Sequence, residues 1–140
     1  MKRSLIAAVV AVALLMLGAS VLLSQRGSDG APSGDTTVTR GRVVIDFAGA
    51  SNPRPKVSKD FAVPAGSSAW EALKQALGSE NISAKDSGPG LGMFVTGFYG
   101  VSAAGNQFWE LIINGKPAEL GVSSYIVKSG DVLEFRISTF

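Results

Sequence analysis

Residues 68–78, SAWEALKQALG, carry a helical pattern between stretches of a different periodicity. Ser68 and Glu71 match a capping box, in which each side chain accepts a hydrogen bond from the backbone N–H of the other residue. Apolar residues recur on one face of the pattern, at Trp70, Leu73 and Leu77. Gly78 is a typical helix stop because it adopts positive φ without strain. The stretch predicts a helix over Ala69–Leu77, with the tryptophan in the core.

The stretches on both sides of this helix alternate apolar and polar residues, which is typical of strands with one buried face. Val43–Phe47 and Phe61–Val63 precede the helix, and three more strands follow it: Met93–Phe98, Phe108–Ile113 and Val132–Ile137. Asn114-Gly115 predicts a tight hairpin turn, because both residues accept positive φ. Residues 79–92 are rich in glycine and are predicted as loop. The order of elements predicts an α+β domain with one helix packed on a mixed or antiparallel sheet.

The N-terminal segment has a different composition. Leu5–Leu23 contains no charge and, at about 1.5 Å per residue, is long enough as a helix to cross the hydrocarbon core of a bilayer. Lys2 and Arg3 precede it, which predicts a cytoplasmic N-terminus and an extracytoplasmic C-terminal domain. A cleaved signal peptide is the alternative, and the protein would then be secreted. We therefore predict a single-pass membrane anchor, or a signal segment, over residues 1–24.

Residues 25–41 are predicted to form a flexible linker. They are mainly glycine, serine, aspartate and threonine, and Val38 is the one large apolar residue among them. Such a composition buries too little surface to offset the loss of chain entropy on folding. The folded domain is accordingly predicted over residues 42–140.

The composition argues against several classes of function. The chain has no cysteine and no histidine, so it lacks thiolate chemistry, the commonest general base and the commonest metal ligand. Residues 42–140 contain nine basic and nine acidic side chains, without the basic cluster that a nucleic-acid binder needs. Ser129 and Lys128 are adjacent, which points their side chains to opposite sides of a strand and disfavours a Ser–Lys catalytic pair. We predict no enzymatic activity, no metal site, no cofactor and no nucleic-acid partner.

Five stretches, in this order, resemble the transcobalamin C-terminal-like domain, a family largely of unknown function in bacterial surface proteins: Val63–Leu73, Gly92–Gly97, Phe108–Ala118, Gly121–Tyr125 and Lys128–Phe135. The resemblance covers about residues 42–138 and implies a small β-grasp-like α+β domain. In the vitamin-B12 carriers of this family, the domain lies over a corrinoid that a larger helical domain mainly holds. No stretch of this sequence predicts such a helical domain, and no histidine is present for a corrinoid cobalt.

Aromatic residues near strand ends are the predicted ligand contacts. Phe98 and Tyr99 end one strand, and Phe108 begins the next beside Glu110, so strand alternation does not bury them well. Aromatic rings at such places can stack on flat ligands. The sequence thus predicts a non-catalytic binding module for a small ligand such as a corrinoid or a glycan. Packing of Phe98 and Phe108 beneath the loop Gly88–Gly92 is the competing interpretation.

A protein-interaction or structural domain of an envelope assembly is the alternative function. An exposed strand edge can pair with an extended segment of another surface protein. The candidate edges are the segment Tyr125–Val127 and the terminal strand Val132–Phe140.

Overall fold

The computed structural model describes residues 36–140, and Thr36–Phe140 form one compact unit. No helix within these residues is long and apolar enough to cross a membrane. The predicted anchor, residues 1–24, and residues 25–35 of the predicted linker lie outside the described residues.

The described residues form an α+β domain with one α-helix and two sheets. A single turn of 3-10 helix, Ser79–Asn81, follows the α-helix. The elements follow in the order β1 (Val38–Asp46), β2 (Val57–Pro64), α1 (Ala69–Leu77), β3 (Ile82–Asp86), β4 (Met93–Phe98), β5 (Val101–Ser102), β6 (Gln107–Ile113), β7 (Lys116–Pro117) and β8 (Val132–Thr139).

The larger sheet is mixed and has the strand order β2-β1-β8-β6-β7. Strand β8 pairs in parallel with β1 and antiparallel with β6, so the last strand of the chain lies at the centre of the sheet. The prediction of a free edge at Val132–Phe140 is therefore wrong. The backbone of the segment Tyr125–Val127 is also hydrogen-bonded, so it is not a free edge either. Ala69 N–H donates to Tyr125 C=O at 2.7 Å, and Val127 N–H donates to Ser67 C=O at 3.0 Å. The smaller, antiparallel sheet has the order β3-β4-β5.

The predicted helix and its capping box are confirmed. Ser68 Oγ accepts from Glu71 N–H at 3.3 Å, and Glu71 Oε2 accepts from Ser68 N–H at 2.7 Å. Leu73 and Leu77 are buried, as their helical spacing predicts. Trp70 is partly buried and packs against the core from its margin, with the Lys74 ammonium 5.4 Å from its ring centroid, so its predicted place in the core is confirmed in part. The ring lies at the margin of the helix face that meets the sheet.

The hydrophobic core lies between α1, one face of the larger sheet and strand β4. The alternation predicted for β1 and β8 holds: five of its inward residues are buried, Val43, Ile45, Phe47, Leu133 and Phe135, and Ile137 is partly buried against the same core. The turn predicted at Asn114-Gly115 is confirmed. These two residues have φ of 51° and 82° and join β6 to β7.

Strand β1 begins at Val38, so it includes the last four residues of the stretch predicted as linker. Val38 pairs with Pro64 and Thr39 with Val63, and the Thr39 side chain is buried. Strand β3 likewise lies inside the predicted loop of residues 79–92. Both segments lack a strong apolar alternation of their own. They become strands because a well-patterned neighbour, β2 or β4, supplies the hydrogen-bonding partner.

Gly41, in the middle of β1, has no room for a side chain. A Cβ atom there would collide with the backbone carbonyl of Asp131 and with the ring of Phe61. We expect Gly41→Ala to destabilise the domain by about 1–3 kcal/mol, because the backbone carbonyl cannot move away without disturbing β8. Urea unfolding of residues 36–140, followed by tryptophan fluorescence, measures the change. Gly121→Ala is the control, since a Cβ at Gly121 meets open space, and equal midpoints for the two variants would contradict the prediction.

Candidate functional site

A cleft of about 420 Å³ separates strand β4 of the smaller sheet from strand β6 of the larger sheet. We call it the β4–β6 cleft. Its two walls are Met93–Val95 and Phe108–Leu111, and the loop Ala118–Val122 lines the remaining side. The cleft therefore lies where the two sheets diverge.

The cleft exists because strand pairing stops early on both walls. Strand β7 pairs with β6 only at Ile112 and Ile113, and β5 pairs with β4 only at Gly97 and Phe98. Beyond these pairs, the facing edges of β4 and β6 have no strand partner within residues 36–140. Each wall also presents consecutive residues to the cleft. Since neighbouring side chains of a strand point to opposite faces, the cleft runs along strand edges rather than over a sheet face.

The rim of the cleft is apolar and exposed to solvent. Phe94 on one wall has 39% of its surface exposed, and Leu120 in the lining loop has 54%. On the other wall, Phe108 stacks on Phe140 with ring centroids 4.6 Å apart, and Phe140 is 81% exposed. Leu91, two residues before β4, is exposed as well. Exposed apolar clusters of this kind mark interaction surfaces.

Few charges face the cleft. The Glu110 carboxylate accepts hydrogen bonds from Arg136 and Ser138, so its negative charge is already paired with that of Arg136. Glu119, in the lining loop, forms no salt bridge within the part of the chain that the structure describes. The Lys85 ammonium lies 5.8 Å from the Phe94 ring centroid, at the outer side of the wall. This distribution suits an apolar ligand without a strong net charge.

Phe98, one of the three predicted ligand contacts, belongs to the core. Its side chain has no exposed surface, and its ring lies 5.0 Å from Trp109 and 4.9 Å from Phe135, measured between centroids. It cannot contact a ligand at the surface, so this prediction is wrong. The indole N–H of the same Trp109 is buried without a hydrogen-bond acceptor in residues 36–140.

A β-bulge explains why the sequence pattern misplaced Phe98. The pairing of β3 with β4 shifts register between Ser83 and Ala84, opposite the middle of β4. The extra residue in β4 reverses the alternation of its side chains. Val95 and Phe98, three positions apart, are therefore both buried, whereas Phe94 is exposed.

The other two predicted contacts lie in different places. Tyr99 is half-buried at φ 50°, packs edge-on against Phe47, and lines a separate trough beside β2. Burial, together with the nearby Glu80 carboxylate, raises the pKa of the Tyr99 hydroxyl. Phe108 lines the β4–β6 cleft. The structure thus brings one predicted contact to the cleft and does not bring the three together.

The sequence reasoning missed Phe94 and Leu120, the exposed apolar residues of the rim. Phe94 lies inside a predicted strand, and the bulge in that strand disrupts the alternation from which its exposure could have been predicted. Leu120 had a weak signal, because it is a lone large apolar residue between Glu119 and Gly121 in a stretch without a predicted element. Residues 36–140 contain no cluster of three acidic, histidine or cysteine side chains that could hold a metal ion.

Comparison with known families gives a match over residues 66–139, more than half of the chain, to the family described as a domain of unknown function, DUF4430. The chain belongs to this DUF4430 family. No curated protein matches the sequence.

Two solved structures resemble the fold of this DUF4430 protein. A crystal structure of haptocorrin in complex with Cbi matches with a TM-score of 0.62 and 21% identity over 75% of this chain. The match spans only 26% of the haptocorrin chain. A candidate metal binding protein from Ruminococcus gnavus ATCC 29149 matches with a TM-score of 0.56 and 12% identity, over 73% of this chain and 98% of that one. The haptocorrin match confirms the resemblance to the transcobalamin C-terminal-like domain at the level of the fold.

Proposed function

We propose that this DUF4430 domain is a non-catalytic binding module held outside the cell membrane by the anchor and linker of its N-terminal residues. Its site is the β4–β6 cleft, and its ligand is a small molecule with an apolar face, such as a corrinoid or a glycan. One observation carries the proposal: an apolar cleft of about 420 Å³ whose rim exposes Phe94 and Leu120 to solvent. Ligand sites in proteins are typically concave, of this volume range and mainly apolar.

The two structural neighbours bear on the class of ligand. Haptocorrin was crystallised with Cbi and shares this fold over about a quarter of its length, which supports a small ligand. The Ruminococcus gnavus protein is described as a candidate metal binding protein. Residues 36–140 bring together no three histidine, cysteine, aspartate or glutamate side chains that could hold a metal ion, so a metal ligand has no support in this part of the chain. Corrinoids and sugars both present faces that pack on aromatic rings, which Phe94 and Phe108 supply at the cleft.

A ligand screen on isotope-labelled residues 36–140 tests the proposal. The panel holds corrinoids and cell-wall sugars, and amide shifts are followed by NMR. We expect saturable shifts at Met93–Val95 and Phe108–Leu111. The double variant Phe94→Ala/Leu120→Ala should weaken binding at least ~10-fold, which corresponds to about 1.4 kcal/mol of lost apolar contact. Its unfolding midpoint should stay close to that of the wild type, since both side chains are partly exposed.

The matched control is Ile126→Ala, which truncates another exposed apolar residue that does not line the cleft. Its affinity should equal that of the wild type. Saturable shifts confined to the trough beside Tyr99, or unchanged affinity in the double variant, would show that the cleft is not the site.

A protein-interaction domain of an envelope assembly is the second candidate function. One observation favours it: the facing edges of β4 and β6 are unpaired within residues 36–140. Unpaired strand edges recruit extended segments of other proteins.

A further inference from the structure

The backbone N–H and C=O of Trp109 point into the β4–β6 cleft and have no strand partner there within residues 36–140. In a strand, the N–H and C=O of every second residue point to the same edge. Ala118 N–H donates to Leu111 C=O at 2.9 Å on the β7 side, whereas Asn114 N–H donates to Val132 C=O at 3.0 Å on the β8 side. Trp109, two residues before Leu111, therefore points its N–H and C=O to the β7 side. Strand β7 does not reach that far, so these groups face the cleft.

The backbone N–H and C=O of Val95 point into the cleft from the opposite wall. Ser87 N–H donates to Gly92 C=O at 2.9 Å on the β3 side, so the next residue, Met93, must point away from β3. Met93 N–H indeed donates to Ser123 Oγ at 2.9 Å, beyond the loop that lines the cleft. Val95, two residues later and before the bulge, points the same way. No strand of residues 36–140 pairs with it on that side.

We propose that the β4–β6 cleft takes an extended, apolar peptide segment of a partner protein, which adds as a strand between β4 and β6. The added strand would bond to Trp109 on one side and to Val95 on the other, and would join the two sheets. This inference rests on the second candidate function, a protein-interaction domain, and names the kind of segment that the two strand edges would take. It names a ligand class other than the small molecules considered above.

The chemistry of the walls specifies the peptide. An extended chain presents N–H and C=O groups to both of its edges, at about 3.3 Å per residue, so one segment can bond to two strand edges. The walls are three and four residues long, so a paired segment of roughly four residues, or ~13 Å, fits. Apolar side chains would pack on Phe94 and Leu120, and Glu119, which forms no salt bridge within residues 36–140, disfavours an acidic segment. Residues 25–35 of this chain cannot serve, because they contain no apolar side chain larger than alanine or proline.

A synthetic peptide tests strand addition on the isotope-labelled full chain in detergent micelles. The probe is a capped seven-residue peptide of alternating threonine and valine. Its control carries the same side chains with N-methyl groups on the valines, which removes the N–H donors of one edge. We expect the probe to slow amide hydrogen exchange at Trp109 and Val95 at least ~10-fold. Phe108 is the internal control, because it already pairs with Ser138 and its exchange should not change. The methylated peptide should bind at least ~10-fold more weakly.

The results that would contradict strand addition can be distinguished from those that would contradict the proposed function. Equal binding of the methylated peptide, or binding without slower exchange at Trp109 and Val95, overturns strand addition. Slower exchange that depends on protein concentration without peptide also overturns it, since the occupant is then a second copy of the chain. Cleft shifts with a corrinoid or a sugar but none with the peptide reject this inference and leave the proposed function standing. No cleft shift with any of these probes rejects both.

Discussion

Phe98→Ala should remove most of the stability of the domain. The Phe98 side chain has no exposed surface. The centroid of its ring lies 5.0 Å from that of Trp109 and 4.9 Å from that of Phe135. Truncating a buried phenylalanine costs about 3–5 kcal/mol, because the lost transfer energy adds to the energy of the cavity. Domains of this size have a free energy of unfolding of about 5–15 kcal/mol. Urea unfolding of residues 36–140, followed by tryptophan fluorescence, should show a large fall in the midpoint.

The matched control is Phe94→Ala, which removes the same side chain four residues earlier in β4. Because Phe94 is 39% exposed at the rim of the cleft, we expect a loss below about 1 kcal/mol. Similar midpoints for the two variants would contradict the inward turn of Phe98 at the bulge. The contrast also bears on function, since any loss of ligand binding in Phe98→Ala would report unfolding, whereas a loss in Phe94→Ala would report a contact.

Asp131→Asn should have the second largest effect. The Asp131 side chain is buried and accepts three hydrogen bonds, from the Asn114 amide at 2.9 Å, the Tyr125 hydroxyl at 2.8 Å and the Lys128 N–H at 2.8 Å. Asp131 thereby links the β6–β7 hairpin, through Asn114, to the loop before β8, through Tyr125 and Lys128. An amide in its place keeps one accepting oxygen but presents an NH2 group to the donors on its other side, and we expect a loss of about 2–4 kcal/mol. Asp60→Asn is the control, because the Asp60–Arg42 pair is exposed and should contribute less than about 1 kcal/mol.

The same carboxylate should make stability depend on acid. Burial would raise the pKa of Asp131, but the hydrogen bonds from Lys128, Asn114 and Tyr125 outweigh it and hold the pKa below its ordinary value. A lowered pKa in the folded state stabilises the fold at pH values above the unfolded pKa of about 3.9. This contribution is lost as the pH falls through the folded pKa.

Urea unfolding between pH 7 and pH 2.5 measures this dependence. The wild type should lose stability below about pH 4 more steeply than Asp131→Asn. Some slope should remain in the variant, because a hydrogen bond from the Ala48 N–H also lowers the pKa of Asp46. Parallel profiles for the two proteins would show that Asp131 is not the titrating group.

Local features of this domain were predictable from the sequence because their causes lie within a few residues. The helix over Ala69–Leu77 needs only Ser68, Glu71 and its own apolar spacing. The hairpin turn needs only two residues that accept positive φ, Asn114 and Gly115. The family resemblance also rests on such short patterns, and the shared fold confirms it.

The candidate site was predicted poorly because its causes are distant in sequence. The burial of Phe98 depends on a register shift against β3, a strand with no clear pattern of its own. The cleft exists because β7 and β5 are too short to cover β6 and β4. Of the predicted contacts, Phe108 alone lines the cleft, and the rim residues Phe94 and Leu120 had no sequence pattern that marked them.

The amino-acid sequence alone establishes the α+β class of the domain, its capped helix over Ala69–Leu77, the neutral charge of residues 42–140 and the lack of histidine and cysteine chemistry. Each follows from composition or from hydrogen bonds between near neighbours. The central place of β8, the bulge in β4 and the two edges across the cleft that lack a partner within residues 36–140 depend on pairing between segments far apart in the chain. Such pairing is chosen by the packing of the whole core, since each strand edge can accept several partners of similar pattern.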